Sequence, residues 1–344
     1  MDNEIELKHQ YKLRQKYTAL WAFSESVLGG MLHAFKIPFT GLILGGFAVI
    51  FLSLISDVSK SKKDILKVTS IVIVIKFMIS PNTPFTAYLA VFIQGFFAYL
   101  IFSFIKNRPL AIFILSFLSA LWSASQKIIV TTLIFGMTFW YSLDELTLYL
   151  SRIIGLNLGE NFSMSLVLIT VYFLLHLSGA ILFARLAIHL PDFLRRNESR
   201  LEVIRKNYII HNDKNFKEEN SLTKKKKWYR KPSRIILLFI LLVVAFVTYL
   251  NPGLSKIKFI DVISMLARAI VLIYVWFKIV SPLLVKTFVR LVGNNSNWKF
   301  IDEYTSFFPE FKQIILFSWK SNPSQIKMVR IKKFLEDALL LLLK

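Results

Sequence analysis

The chain has 344 residues, 55% of them hydrophobic and 32 of them Phe, a composition that excludes an ordinary water-soluble domain and fits a chain crossing a membrane repeatedly. The absence of Cys excludes disulfide frameworks, thiolate metal sites and thiol nucleophiles, and five scattered His do not suggest a zinc site. The formal charge of +22 gathers between apolar stretches, so it reads as membrane orientation and anionic lipid rather than nucleic acid.

A basic start (Lys8, Lys12, Arg14, Lys16) precedes a first span expected over Tyr17 to Phe35, with no Ala-x-Ala-like site to suggest cleavage. Spanning helices take about 20 apolar residues, and loops rich in Lys and Arg stay cytoplasmic. A second span is therefore expected from Pro38 to Ile55, returning the chain to KSKKDILK at Lys60 to Lys67. A third, VTSIVIVIKFMI, leads to SPNTP at Ser80 to Pro84 outside, and a fourth runs back from Phe85 to Ile105.

The nearly apolar stretch from Pro109 to Tyr141 would be roughly 50 Å long as one helix. A break is expected at SASQK, Ser123 to Lys127, and one long broken crossing is preferred there to three short ones. SLDELTLYLSRIIGLNLGENF reads as an amphipathic interfacial helix on which Asp144 to Leu146 form an ordinary solvated face. A sixth span runs from Ser163 to Leu190 and ends at Arg195 and Arg196. From Pro191 to Ser233, 13 Lys and Arg stand against 6 Asp and Glu, which marks a cytoplasmic linker. Two further spans, about Ser233 to Leu250 and Phe259 to Leu284, are joined outside by NPGLSK. The remainder is expected in the cytoplasm, ending in KMVRIKKFLEDALLLLLK, whose Leu run is too short to span.

The expected fold is thus all-α: a polytopic integral membrane helical bundle of about eight spans, six plus two, with cytoplasmic amphipathic helices. Its parts are a six-span membrane domain (1–190), a basic linker (191–233) and a two-span unit (234–344). A bacterial-type inner membrane with both termini cytoplasmic is the expected location. Lys224, Lys225, Lys226 and Lys227 in the linker suit the anionic inner leaflet.

In the first span Thr18, Ala22, Ser26, Gly30 and Ala34 recur every four residues, a small-residue stripe along one helix face. Such a stripe admits a partner helix closely, either another subunit or a neighbour in the same bundle. Glu25, His33 and Lys36 on this span, Lys76 on the third, Gln94 on the fourth, Gln126 and Lys127 at the expected break and His176 on the sixth do not suit lipid. Lys36 and Lys76 lie near helix ends, from which they can snorkel. IPFTG (Ile37 to Gly41) and TPFTA (Thr83 to Ala87) each open a span on the outer side, and such helix N-termini favour a carboxylate or phosphate. His33, Thr40, Thr86, Gln94, Lys127 and His176 are accordingly the expected substrate-binding residues, with a self-satisfied polar network as the structural alternative. No P-loop, His-Glu-x-x-His or acidic magnesium-binding cluster occurs, so no enzyme, cofactor or metal site is expected.

A six-span, basic-flanked unit of about 190 residues with a small-residue ladder on its first helix resembles the substrate-binding S component of energy-coupling-factor (ECF) vitamin and metal-uptake transporters. YRKPSRIILLFILLVVAFV (Tyr229 to Val247) resembles the start of the family's transmembrane T component. SMLARAIVLIYVWFKIVSPLLVKTFVRLV (Ser264 to Val292) resembles its span ending at a Ser-Pro, and FFPEFKQII (Phe307 to Ile315) the helix that follows. The T component's Ala-Arg-Gly coupling motifs are absent after Leu284, so the T-like part is shortened. The resemblance implies uptake of a small solute, with other membrane subunits or an ATPase pair as partners, and the outward helix starts add the expectation that the solute is anionic. The rival reading is a non-transporting membrane scaffold working through its helix stripe, basic linker and C-terminal tail.

Overall fold

The computed structural model describes residues 2–35, 39–80, 83–156, 158–159, 162–215, 258–283, 286, 299–323 and 327–344. The linker lysines 224–227, the seventh expected span, Lys36 and the side chains of His33 and Ala34 lie outside the described residues. Every element among the described residues is helical. The order is α1 (Asp2–Phe23), a π turn (Ser24–Leu28), α2 (Gly29–Ala34), α3 (Thr40–Val58), α4 (Lys63–Ile79), α5 (Phe85–Phe104), α6 (Arg108–Phe135), α7 (Met137–Ile153), α8 (Met164–Arg196) and α9 (Glu198–Asn215). After the undescribed stretch come α10 (Lys258–Val275), continued by a second π turn (Trp276–Val280), then α11 (Lys299–Thr305), α12 (Phe308–Lys320) and α13 (Lys327–Leu343).

Among the described residues, five helical stretches are long and apolar enough to cross a membrane: Thr40–Val58, Phe85–Phe104, Arg108–Phe135, Met164–Arg196 and Ile263–Leu283. They match the second, fourth, fifth, sixth and eighth expected spans. The first expected span is the upper half of a longer helix whose start is polar, and the third is the 17-residue α4. Of the five, α3 is the most enclosed and packs on α1, α5, α6 and α8. Most of the surface of α8 is open, as suits a helix at the edge of a bundle in lipid.

The expected break at Ser123 to Lys127 is not there. Residues 108–135 form one continuous helix, begun by Pro109 in its first turn and by Asn107, whose side chain accepts from the Leu110 N–H at 3.1 Å. Small and polar residues do not interrupt an α-helix, whereas a residue held at positive φ does. The chain turns instead at Gly136, φ 74°, a backbone conformation that costs glycine little. The Asp144 face also differs from expectation. Its carboxylate accepts from the Ser165 N–H (2.7 Å) and from the Ser165 and Ser163 hydroxyls (2.9 and 3.1 Å), so α7 supplies a cap for α8.

At the basic end of the bundle, ion pairs join elements distant in sequence. Arg14 binds Asp64 at 2.7 Å, Arg108 binds Asp57 through two nitrogens at 2.8 to 3.1 Å, and Gln15 donates to Glu303. The C-terminal helices cover this end. Phe23 of α1 meets Phe308 and Phe311 edge-on at 5.2 and 5.8 Å, and Phe311, Leu340 and Leu343 are fully buried. The terminal Leu run is therefore core, and the Leu343 carbonyl accepts from the Tyr17 hydroxyl at 3.3 Å.

The Asp144 cap sets a pH prediction. Burial pushes this carboxyl up, but the bonds from Ser165 and Ser163 outweigh that and hold it below the usual carboxylate range. A depressed carboxyl stabilises the fold above its unfolded value near 3.9 and loses that contribution as pH falls through its folded value. Asp144→Ala should cost about 1 kcal/mol at neutral pH, with exposure keeping it at the low end. Melting curves of the two proteins should converge as the pH is lowered below about 4.

Candidate functional site

Two polar groupings lie within the bundle. The first is an ion pair between Glu25 and Lys76. A regular helix would leave Glu25 on the register of its neighbours, but the π turn over Ser24–Leu28 widens the spiral there and seats the carboxylate against α4. Lys76 Nζ lies 2.7 Å from Glu25 Oε2 and 3.4 Å from the Ala87 carbonyl, and the two side chains are 5% and 4% exposed. Around them, Tyr88 donates to the Ser80 carbonyl at 2.8 Å and Gln126 to the Thr86 carbonyl at 2.6 Å. This cluster ties α1, α4, α5 and α6 together at the end opposite the basic loops. Lys76 does not snorkel; it is the counter-ion that makes a buried Glu25 tolerable.

The second grouping is a seam where α3, α6 and α8 meet. Gly41, Gly45 and Gly46 on α3 face Ser116, Ser119 and Ala120 on α6 and Ala180 and Phe183 on α8 around a narrow crevice of about 10 Å³, room for one water. A Cβ on Gly46 would overlap the Phe183 ring, so the close approach requires glycine there. Ser116 donates to the Ala180 carbonyl at 2.7 Å and fastens α6 to α8. Ser119 lines the same crevice, 1% exposed, and its Oγ has no partner. Gln94 reaches in from α5, its Nε2 3.3 Å from where a Cβ on Gly45 would stand, and its buried Oε1 is likewise unpartnered.

His176 borders the seam one turn before Ala180. Its ring is fully buried beside Tyr172 and Phe39, with centroids 4.2 and 5.9 Å away. Nδ1 lies 2.9 Å from the Tyr172 carbonyl and donates to it, which leaves Nε2 as a buried acceptor without a partner. Phe39 holds this corner in a left-handed conformation, φ 61°, stacked on Tyr172 at 5.7 Å. Thr40, the first residue of α3, is buried next to it.

Of the expected substrate-binding residues, Thr40, Gln94 and His176 thus surround one seam. Thr86 is half-buried at the start of α5, where its carbonyl serves Gln126, and Lys127 is exposed on α6. In the small-residue stripe, Thr18, Ala22 and Ser26 are buried within the chain's own bundle. Beyond the π turn the register shifts. Gly29 then meets Leu44, and a side chain at Gly30 would enter open space. Sequence reasoning missed Ser116, Ser119 and Ser123. Their spacing of three and four residues is a polar stripe on one helix face, a signal as readable as the stripe on α1.

No known protein family, curated protein or solved structure matches the chain. The site is therefore read from its geometry alone.

The ion pair yields a direct test. Lys76→Met strands a buried carboxylate and should destabilise by about 3–5 kcal/mol, whereas Glu25→Gln combined with Lys76→Met should recover most of the loss. Melting midpoints of the three purified proteins in one detergent measure the difference. Equal midpoints for the single and double variants would show that the pair does not hold the bundle.

Proposed function

We propose that the chain is the solute-binding membrane unit of an uptake system, with the seam between α3, α6 and α8 as its binding site. The observation that carries this reading is a set of buried atoms without a partner among the described residues: Ser119 Oγ in the crevice, with Gln94 Oε1 and His176 Nε2 beside it. Each buried polar atom without a partner costs about 1–3 kcal/mol, and a bundle in lipid has little water to offer in exchange. Atoms kept at that cost are accounted for by a partner that comes and goes.

The chemistry of these atoms describes the solute. Two are acceptors and the third is a hydroxyl, so the solute carries N–H or O–H donors. The positive end of the α3 dipole opens beside Gly41 and favours an acceptor or anionic group on the same molecule. Among the described residues no Lys or Arg lines the crevice, so any negative charge is met by this helix end. In this closed form the crevice, at about 10 Å³, holds no solute, against the roughly 300–1,000 Å³ of ordinary ligand pockets. Binding therefore accompanies separation of the glycine and serine surfaces, which suits a site that opens alternately to the two sides. The ECF-like reading is consistent with such a unit. The scaffold reading has less to work with, because the C-terminal Leu run it uses is packed inside the protein.

Mass spectrometry of the purified protein should find a co-purifying small molecule, and solute pools should be screened for thermal stabilisation. Gln94→Met and Ser119→Ala remove unpartnered atoms at nearly constant volume. Both should leave the empty protein as stable as before, or slightly more so, while abolishing stabilisation by the solute. Protein that is empty from every growth medium and is stabilised by no solute would reject the proposal.

A further inference from the structure

The outward face of α13 is chemically unlike the rest of the basic end. Met328, Ile331 and Leu335 follow one another along one side of the helix and are 82%, 47% and 49% exposed. Lys327 and Lys332 flank them, both exposed, and Lys333 is exposed on the far side of the same turn. The acids of the same helix are turned away. Glu336 and Asp337 bind Arg200 at 2.9 and 2.6 Å, and Asp337 also accepts from Asn322 at 2.7 Å. Arg200 holds both carboxylates back against α9, so the stripe of Met328, Ile331 and Leu335 has lysines rather than acids at its edges. Beside it Trp319 of α12, 42% exposed, carries the Arg330 guanidinium 4.2 Å from its ring centroid.

We propose that this face, formed by Met328, Ile331 and Leu335 with Lys327 and Lys332 at its edges, docks on anionic lipid headgroups at the basic end of the bundle. Its position supports the assignment. The second half of α13 is buried against the protein, with Leu343 bonded to Tyr17 and Lys344 paired with Glu198. Tyr17 begins the apolar part of α1, and Glu198 follows the end of α8 at Arg196 by two residues. The helix is thus pinned where membrane-crossing helices leave the hydrocarbon, which is where headgroups lie. A mixed apolar and cationic stripe matches that layer, with apolar side chains entering the acyl boundary and amines meeting phosphate. Exposed Trp with Arg beside it is typical of the same depth.

Because the chain has no Cys, Met328→Cys gives a single labelling site for a polarity-sensitive fluorophore, and Ser306→Cys gives an exposed control on the same end. The full chain is placed in nanodiscs of phosphatidylcholine alone or with phosphatidylglycerol. The label at 328 should shift to shorter wavelength only with the anionic lipid, and the label at 306 should not. High salt, or Lys327→Gln with Lys332→Gln, should abolish the shift, each cation contributing roughly fivefold in partition. These substitutions are at exposed positions, and an unchanged melting midpoint checks the fold. A label at 328 that stays wet in both lipids, or that is dry in both and indifferent to charge, overturns the proposal. Burial seen only in discs made from native membranes assigns the face to a protein partner and also overturns it. The result does not depend on whether the seam binds a solute.

Discussion

Inside a bundle of apolar helices a charged side chain has no water to turn to, so Glu25 must find a cation or distort the fold. Lys76 is that cation, and bringing the two to 2.7 Å requires the π turn at Ser24–Leu28. The turn in turn sets which glycine meets α3 and fixes α1 against α4. Ser80, Tyr88, Thr86 and Gln126 then close around the pair through backbone carbonyls. With one end locked by this cluster and the other by the ion pairs of Arg14, Arg108 and Arg200, the helices between are held in register. The seam lies within that frame. Its glycines and serines allow close approach without strong attachment, the Ser116 bond to α8 excepted.

The elements that were legible in the sequence are those whose signal is local. The starts of α3, α5 and α8 follow from proline or serine placement and from apolar runs, and they fall within two residues of expectation. The failures are nonlocal. SASQK looks like a break because its residues are small and polar, yet nothing in it opposes a helix, and the turn belongs to a glycine nine residues further on. Asp144 looks solvated because its partners, Ser163 and Ser165, come 19 and 21 residues later across a turn. The terminal Leu run reads only as too short to span, because its cover comes from α12, α9 and the first helix of the chain.

The site was legible in kind rather than in arrangement. Gln94 and His176 were identifiable as costly residues in an apolar setting and Thr40 as part of a helix start, and three-dimensional packing brings them beside one seam. Lys127 was given the same weight, but a residue's face on a helix depends on which neighbours the helix acquires, and α6 turns it outward. Glu25 and Lys76 were both visible, but their sequence separation of 51 residues concealed the pairing.

The bond from Tyr17 to Leu343 joins residues 326 apart, and Phe23 waits as long for Phe308 and Phe311. At synthesis rates of about 5–20 residues per second, Leu343 leaves the ribosome roughly 16–65 s after Tyr17. Through that interval the apolar side of α1 that Phe311, Leu340 and Leu343 will bury has only lipid or a chaperone to cover it. The opening helix therefore completes its packing only when the closing helices arrive.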